Sequence, residues 1–202
     1  MKVIINGAFG RMGRALAARI SETDGVCVVC GADIAAGQAS FPVVERLCDF
    51  DGDADVIIDF SHHSQTAALC AYAVRRGLPV VVATTGQTEE ENACIAEAAK
   101  SVPVFRSANM SVGVGLLCRL CKEAAAVLTD ADIEISEKHH SRKIDAPSGT
   151  ALMLADAVKK VRADSVLVYD RHSRLAPREK NEIGIHSLRA GSIVGEHEVL
   201  FA

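Results

Sequence analysis

Between Glu137 and Ala151 the chain reads EKHHSRKIDAPSGTA, and its first half crowds His139, His140, Arg142 and Lys143 into five positions. An imidazole titrates near neutrality and can give or take a proton, and a lysine ammonium stabilises negative charge as it develops. Those residues would serve equally as a plain solvated basic loop. The continuation Asp145-Ala146-Pro147-Ser148-Gly149-Thr150 argues for more, because Ser148 is the residue type of a helix N-cap, with Gly149 and Thr150 opening the helix behind it. The N–H groups of a helix start bind a carboxylate, and the adjacent His and Lys side chains can bind a second one. Two such anion sites suit a small dicarboxylate.

A second candidate site lies near the N-terminus. The apolar run KVIIN feeds into Gly7-Ala8-Phe9-Gly10-Arg11-Met12-Gly13 and then into the helical pattern RALAARISE. Glycines at a strand-to-helix turn let the backbone approach a pyrophosphate, which the helix N-terminus then holds. The spacing is GxxGxxG, one residue off the commonest dinucleotide fingerprint, and glycine-rich turns also occur as plain tight connections. The next β-prone run, VCVVCGAD, ends in Asp33, the position from which a carboxylate hydrogen-bonds the adenosine ribose and repels a 2′-phosphate. Residues Ile34 to Gln38 include no Arg or Lys to receive that phosphate, so NADH is the expected preferred cofactor, with NADPH second. Asp33 would otherwise be a strand-end turn residue. Asp59-Phe60-Ser61 and Ala83-Thr84-Thr85-Gly86 each follow a predicted strand, where open parallel sheets carry ligand-binding residues, although Thr-Thr-Gly is also ordinary turn chemistry. His62 and His63 have no third ligand in view, so no metal is expected.

The elements that must position these groups are legible from periodicity. Short β-rich runs (KVIIN, VCVVCGAD, DVIIDF, PVVVATT, PVFR) alternate with helical patterns such as SQTAALCAYAVRR over the first hundred residues, the βαβ rhythm of an α/β, Rossmann-type doubly wound parallel sheet. After Asn109 the rhythm changes to a long helix from about 112 to 128, a strand ADIEISEKH, a polar loop, a helix from about 149 to 161, and three β-prone runs. Alternation in the last two runs predicts a half-exposed, mainly antiparallel or mixed sheet. The expected division is a dinucleotide-binding domain over 1–109 and a smaller α+β substrate-binding and oligomerisation domain over 110–202. The charged stretch Asp170 to Glu182 reads as a solvated connection.

Composition excludes several classes. A formal net charge of -4, two Tyr, six Phe and no Trp leave little for nucleic-acid binding. No run of 18 apolar residues suggests a membrane span, and MKVIING is too short for a signal peptide, so a cytoplasmic protein is expected. Of seven cysteines, Cys27/Cys30 and Cys118/Cys121 form CxxC pairs. One pair sits on a predicted strand and the other in a predicted helix, without a zinc-knuckle turn, so buried free thiols are expected.

The motifs GAFGRMG, VIIDFS, ATTG, SANMSVGV, EKHHSRKIDAPSGTA and IGIHSLRAGSIVGEHEVLFA occur in the order seen in the dihydrodipicolinate reductase family, which this chain closely resembles over essentially its whole length. The resemblance implies a nicotinamide-dependent reduction of a small cyclic dicarboxylate, 4-hydroxy-tetrahydrodipicolinate (dihydrodipicolinate), to tetrahydrodipicolinate in lysine and diaminopimelate biosynthesis. It implies His139 as proton donor, Lys143 as a second essential acid, and His140, Gly149 and Thr150 as substrate-carboxylate contacts. On the cofactor side it implies Gly7, Ala8, Phe9, Gly10, Arg11, Met12, Asp33, Phe60, Ala83, Thr84, Thr85, Ser107, Ala108, Asn109 and Met110. A homotetramer built through the second domain's sheet is also implied.

Two features depart from the family pattern. Ala83 stands where Gly is common before Thr-Thr. Family members also continue past the GEHEVLFA strand by a further strand and helix, whereas this sequence stops at Ala202, so an incomplete chain and a short form are both open. Two other readings compete with an active reductase. A truncated or regulatory relative that binds dinucleotide without turnover is opposed by the retained His139 and Lys143 and favoured by the missing tail, and a dehydrogenase using a cysteine thioester would need a Cys at a loop or helix start near a His, which is not seen.

Overall fold

The computed structural model describes residues 1–202, which divide into two compact units, Met1–Ser107 and Ala108–Ala202.

In the first unit, strands β1 (Lys2–Asn6), β2 (Cys27–Ala32), β3 (Val43–Val44), β4 (Val56–Asp59), β5 (Val80–Val82) and β6 (Val104–Arg106) form one sheet in the order β3-β2-β1-β4-β5-β6. Every pairing is parallel. The chain winds outward from β1 to β3, then returns to β4 and winds the other way, so the crevice between β1 and β4 is the topological switch point. Helices α1 (Arg11–Ser21), α2 (Thr66–Arg76) and α3 (Glu89–Ala98) cover the two faces. Side chains alternate across a strand, and β1 divides accordingly: Val3 and Ile5 pack with Ile20 of α1, while Ile4 packs with Leu69, Tyr72 and Ile95 of α2 and α3. Local signals set the helix ends. Thr88 and Glu91 form a reciprocal capping box at the start of α3, and α2 stops at Gly77 in the left-handed conformation.

In the second unit, α4 (Val112–Val127) and α5 (Gly149–Lys159) pack on one face of a sheet built from β7 (Ile133–His139), β8 (Val166–Val168), β9 (Glu182–Arg189) and β10 (Glu196–Phe201). The order is β10-β7-β9-β8, and the sheet is mixed: β10 runs antiparallel to β7, but β7, β9 and β8 are mutually parallel. The mixed form of the expected sheet is thus the one found, with the antiparallel sense confined to β10. Alternation of polar and apolar residues reports a half-covered face and carries no information on strand direction. Residues 169–181 carry the chain back so that β9 can enter beside β8 in the same sense.

That return is also less bland than a solvated connection. Arg178, 16% exposed, donates to Asp132 (2.7 Å), to the carbonyls of Ile133 (3.0 Å) and Glu182 (2.7 Å), and to Glu134 (3.3 Å). Glu182 is buried between Arg171 and Arg174. The charged stretch thus seals the end of the β7/β9 pair.

All seven cysteines are free thiols, but only Cys30, Cys70 and Cys121 are buried, while Cys27 and Cys48 are exposed. Cys27 opens β2, before the strand passes beneath its helices, whereas Cys30 lies three residues deeper. No helix is long and apolar enough to cross a membrane.

Candidate active site

The glycine-rich turn is held by backbone and carboxylate together. Gly7 has φ +83°, and a Cβ on it would lie 2.6 Å from the Phe60 carbonyl oxygen, so only glycine fits between β1 and the turn after β4. The N–H groups of Gly7 and Ala8 donate to the Ala32 carbonyl at 2.8 and 3.2 Å. Asp33 accepts from the N–H of Phe9 through Oδ2 (2.7 Å) and from that of Ala35 through Oδ1 (2.8 Å), so it fastens the loop and retains lone pairs toward its open side. Gly10 caps α1 with no side-chain acceptor, leaving that helix start to an external anion.

Beside this turn lies a cavity of about 610 Å³, lined among others by Gly7, Phe9, Gly10, Asp33, Arg46 and Phe60. Its volume is that of a cofactor cleft. Ala8, Arg11, Met12, Ala83, Thr84 and Thr85 lie off the lining, and Ala8 packs in the core with Val3 and Ile5. Arg46, on this lining, lies beyond the Ile34 to Gln38 stretch in which a phosphate-binding cation is expected from sequence. The short edge strand β3 brings it beside the end of β2, where it pairs with Asp49 at 2.9 Å.

Thr84 belongs to a buried network instead. Asp59, 1% exposed, accepts from Asn6 Nδ2 (2.8 Å), Ser61 Oγ (2.6 Å) and Thr84 Oγ1 (2.7 Å). One carboxylate thereby ties together the carboxyl ends of β1, β4 and β5, the edge that forms the cleft. His63 bonds Glu91 at 3.0 Å.

The second unit carries a polar cluster at the end of an apolar sheet face. On β7, Ile133, Ile135, Glu137 and His139 share one side, and the first two lie in the core beneath α4 and α5. The same periodicity buries the Glu137 carboxylate completely. Neighbouring strands supply its company: β10 sets His197 opposite Glu137, and β9 sets Arg189 opposite His139. Glu137 accepts a two-pronged bond from Arg189 (2.8 and 2.9 Å), the Nδ1 of His139 (2.5 Å) and the N–H of Ser148 (3.2 Å). Burial pushes its carboxyl upward, but the hydrogen bonds led by Arg189 outweigh that and hold it down at about 2.

Ser148 caps α5 by accepting from the Ala151 N–H (3.2 Å), and its Oγ also meets His197 Nε2 at 2.9 Å. The His139 and His197 rings stand edge to face with centroids 5.2 Å apart. Lys143 pairs with Asp145 at 2.7 Å and is largely covered, 21% exposed. The Nδ1 of His140 is buried without a hydrogen-bond partner. Thr150, in the first turn of α5, accepts through Oγ1 from Asn109 Nδ2 at 2.8 Å, so a residue expected on the cofactor side is joined to one expected on the substrate side. Ala108 abuts Gly149, while Met110 is 44% exposed.

Sequence spacing brings His139, Lys143 and the helix start together but gives Glu137, Arg189 and His197 no role. The available signal was period two: a Glu two residues beyond Ile135 on a covered face must have a cationic or donor partner.

Residues 1–110 match the family model of dihydrodipicolinate reductase, N-terminus, and residues 113–202 that of dihydrodipicolinate reductase, C-terminus. The 4-hydroxy-tetrahydrodipicolinate reductase of Caldanaerobacter subterraneus subsp. tengcongensis is 49% identical over 203 residues, covering 100% of this chain and 81% of that protein. Among solved structures, the dipicolinate-bound dihydrodipicolinate reductase from Paenisporosarcina sp. TG-14 superposes with a TM-score of 0.76 at 24% identity, over 100% of this chain and 83% of the other. GenD2 from gentamicin A biosynthesis, in complex with NAD, has a TM-score of 0.64 at 14% identity, over 98% and 68%. At these identities the structural likenesses speak for the fold.

Proposed function

The chain belongs to the dihydrodipicolinate reductase family, and on that premise we propose how its two units divide the reduction of 4-hydroxy-tetrahydrodipicolinate to tetrahydrodipicolinate. The first unit holds a nicotinamide dinucleotide and the second holds the substrate. The observation that carries the reading is the cluster at the start of α5, where His139 is anchored on Glu137 beside a Ser148-capped helix N-terminus.

The cleft suits a dinucleotide on its own terms: a glycine cradle that a Cβ would fill, a helix start without a side-chain cap, and Asp33 at the end of β2. Gly7, Phe9 and Gly10 hold the pyrophosphate, and Asp33 takes the ribose hydroxyls. A carboxylate there disfavours a 2′-phosphate, so NADH is preferred over NADPH; Arg46, on the same cleft wall, is the group through which NADPH retains some activity. The family resemblance adds Ala8, Arg11, Met12, Phe60, Ala83 to Thr85 and Ser107 to Met110 to the cofactor side; of these, Phe60 lines the cleft.

In the second unit the substrate is a small cyclic dicarboxylate, the class to which the dipicolinate in the Paenisporosarcina protein belongs. One carboxylate sits on the N–H groups of Gly149 and Thr150, whose helix dipole favours negative charge. His140 contacts the other, the role the family resemblance implies for it. The dinucleotide, when bound, supplies hydride to a ring carbon conjugated with the imine. His139 gives a proton to the electron-rich system so formed, and Lys143, leaving Asp145, stabilises the developing charge. The protein acts in the cytoplasm as a homotetramer, joined through the sheet face opposite α4 and α5, where Leu188 and Leu200 stand half exposed.

The deciding experiment mixes the protein with aspartate semialdehyde, pyruvate, the condensing synthase and NADH, and follows the loss of nicotinamide absorbance. Steady oxidation that requires the synthase is expected. Measurable NADH binding without oxidation would replace this reading with a nucleotide-binding module.

A further inference from the structure

We propose that Glu137, held by Arg189, is a positioning residue that commits His139 to exchange its catalytic proton at Nε2; the inference deepens the reading above and rests on its assignment of His139 as proton donor.

An ionised carboxylate accepts at about four lone-pair positions, two on each oxygen. In Glu137, Oε1 takes the Arg189 guanidinium (2.8 Å) and the Ser148 N–H (3.2 Å), and Oε2 takes the guanidinium's other prong (2.9 Å) and His139 Nδ1 (2.5 Å). Three of these partners can only donate. The carboxylate is completely buried and paired with a permanent cation, so it is charged and has no proton to offer. His139 Nδ1, facing it at hydrogen-bond distance, must therefore carry a hydrogen in both the neutral and the cationic ring.

That leaves Nε2 as the nitrogen whose proton comes and goes. In the reaction the Nε2–H bond breaks, its proton passes to the substrate, and the ring stays neutral with Nδ1–H intact until solvent restores the second proton. The surroundings keep Nε2 available. A Cβ on Gly195 would lie 3.0 Å from it, so glycine at that position keeps a side chain from closing on the nitrogen. His197 stands edge to face with the ring, and its own Nε2 is engaged by Ser148. Arg189 holds the carboxylate by a two-pronged pair, so Glu137 presents a fixed acceptor that orients the ring through Nδ1.

The first test needs no substrate. In protein labelled with ¹⁵N-histidine, long-range ¹H–¹⁵N correlations of the neutral His139 ring should show a protonated Nδ1 and a bare Nε2; the reverse tautomer would overturn the proposal. The folded Glu137→Gln variant should lose the single tautomer and lower kcat about 10- to 100-fold with KM for the dinucleotide unchanged. Unchanged tautomer and turnover in that variant would also overturn it. Should loss of a buried charge prevent folding, Gly195→Ala gives a second reading: it should lower kcat while keeping the Nδ1–H signal, and full activity there would count against Nε2. Wild-type protein that shows the expected tautomer yet fails to turn over would sink the functional reading and leave the ring assignment standing.

Discussion

The Ser148 hydroxyl, which caps α5 through Ala151, lies 2.9 Å from Nε2 of His197, a residue 49 positions later on β10. Oγ already accepts from the Ala151 N–H, so its single hydrogen is free to point at an unprotonated His197. Burial lowers the His197 pKa, and the neighbouring His139 lowers it further. The neutral ring is thus the form the fold prefers. This contribution to stability is complete above the ordinary histidine range and is lost as pH falls through the depressed folded-state pKa. An NMR titration should place the His197 midpoint below that of an exposed histidine. Ser148→Ala should cost roughly 1 kcal/mol for the cap alone, read as a lower melting temperature.

Lys143 and His139 should be indispensable to turnover. Lys143→Ala and His139→Ala are each expected to lower kcat by about 10²-fold or more, with the circular dichroism spectrum intact. Normal turnover in either folded variant removes that residue from the mechanism.

Asp33 has two duties, and one substitution separates them. Asp33→Asn keeps an oxygen for one of the two backbone donors, Phe9 or Ala35, but no longer repels a 2′-phosphate. The ratio of kcat/KM for NADH over NADPH should exceed one in the wild type and fall in Asp33→Asn. A wild type that prefers NADPH contradicts the assignment.

Gly7→Ala should be among the most damaging small substitutions. It places a methyl 2.6 Å from the Phe60 carbonyl at φ +83°, a conflict with backbone at two positions. A loss of about 1–3 kcal/mol of stability is expected, together with a rise in the dissociation constant for NADH measured by fluorescence.

Glu137 predicts acid sensitivity of a defined sign. Its folded-state pKa, about 2 against an ordinary 4.5, means that the stabilisation is complete above about pH 4.5 and disappears as pH falls toward 2. The linkage is on the order of 3 kcal/mol. Between those limits, Glu137→Gln should show a shallower dependence of urea stability on pH than the wild type.

The sequence by itself determined the parts whose signals are local. The βαβ rhythm, the glycine-rich turn, Ser148 at the helix start and the cluster from His139 to Lys143 are legible because periodicity and capping act over a few residues. Strand direction was not legible: EIGIHSLR alternates identically whether β9 runs with β7 or against it, and only the path of residues 169–181 decides. The placement of Arg46 on the cleft wall and of Arg178 at the sheet end likewise depends on which strands become neighbours. The same holds for the substrate cluster. EKHHSRK contains Glu137 and His139, but their bond to each other matters because β9 and β10 deliver Arg189 and His197 to the same buried spot, and no local pattern records pairing across some fifty residues. Local physics wrote the reactive groups into the chain; the tertiary structure, by burying a carboxylate and bringing a cation to it, decided which nitrogen of His139 faces outward.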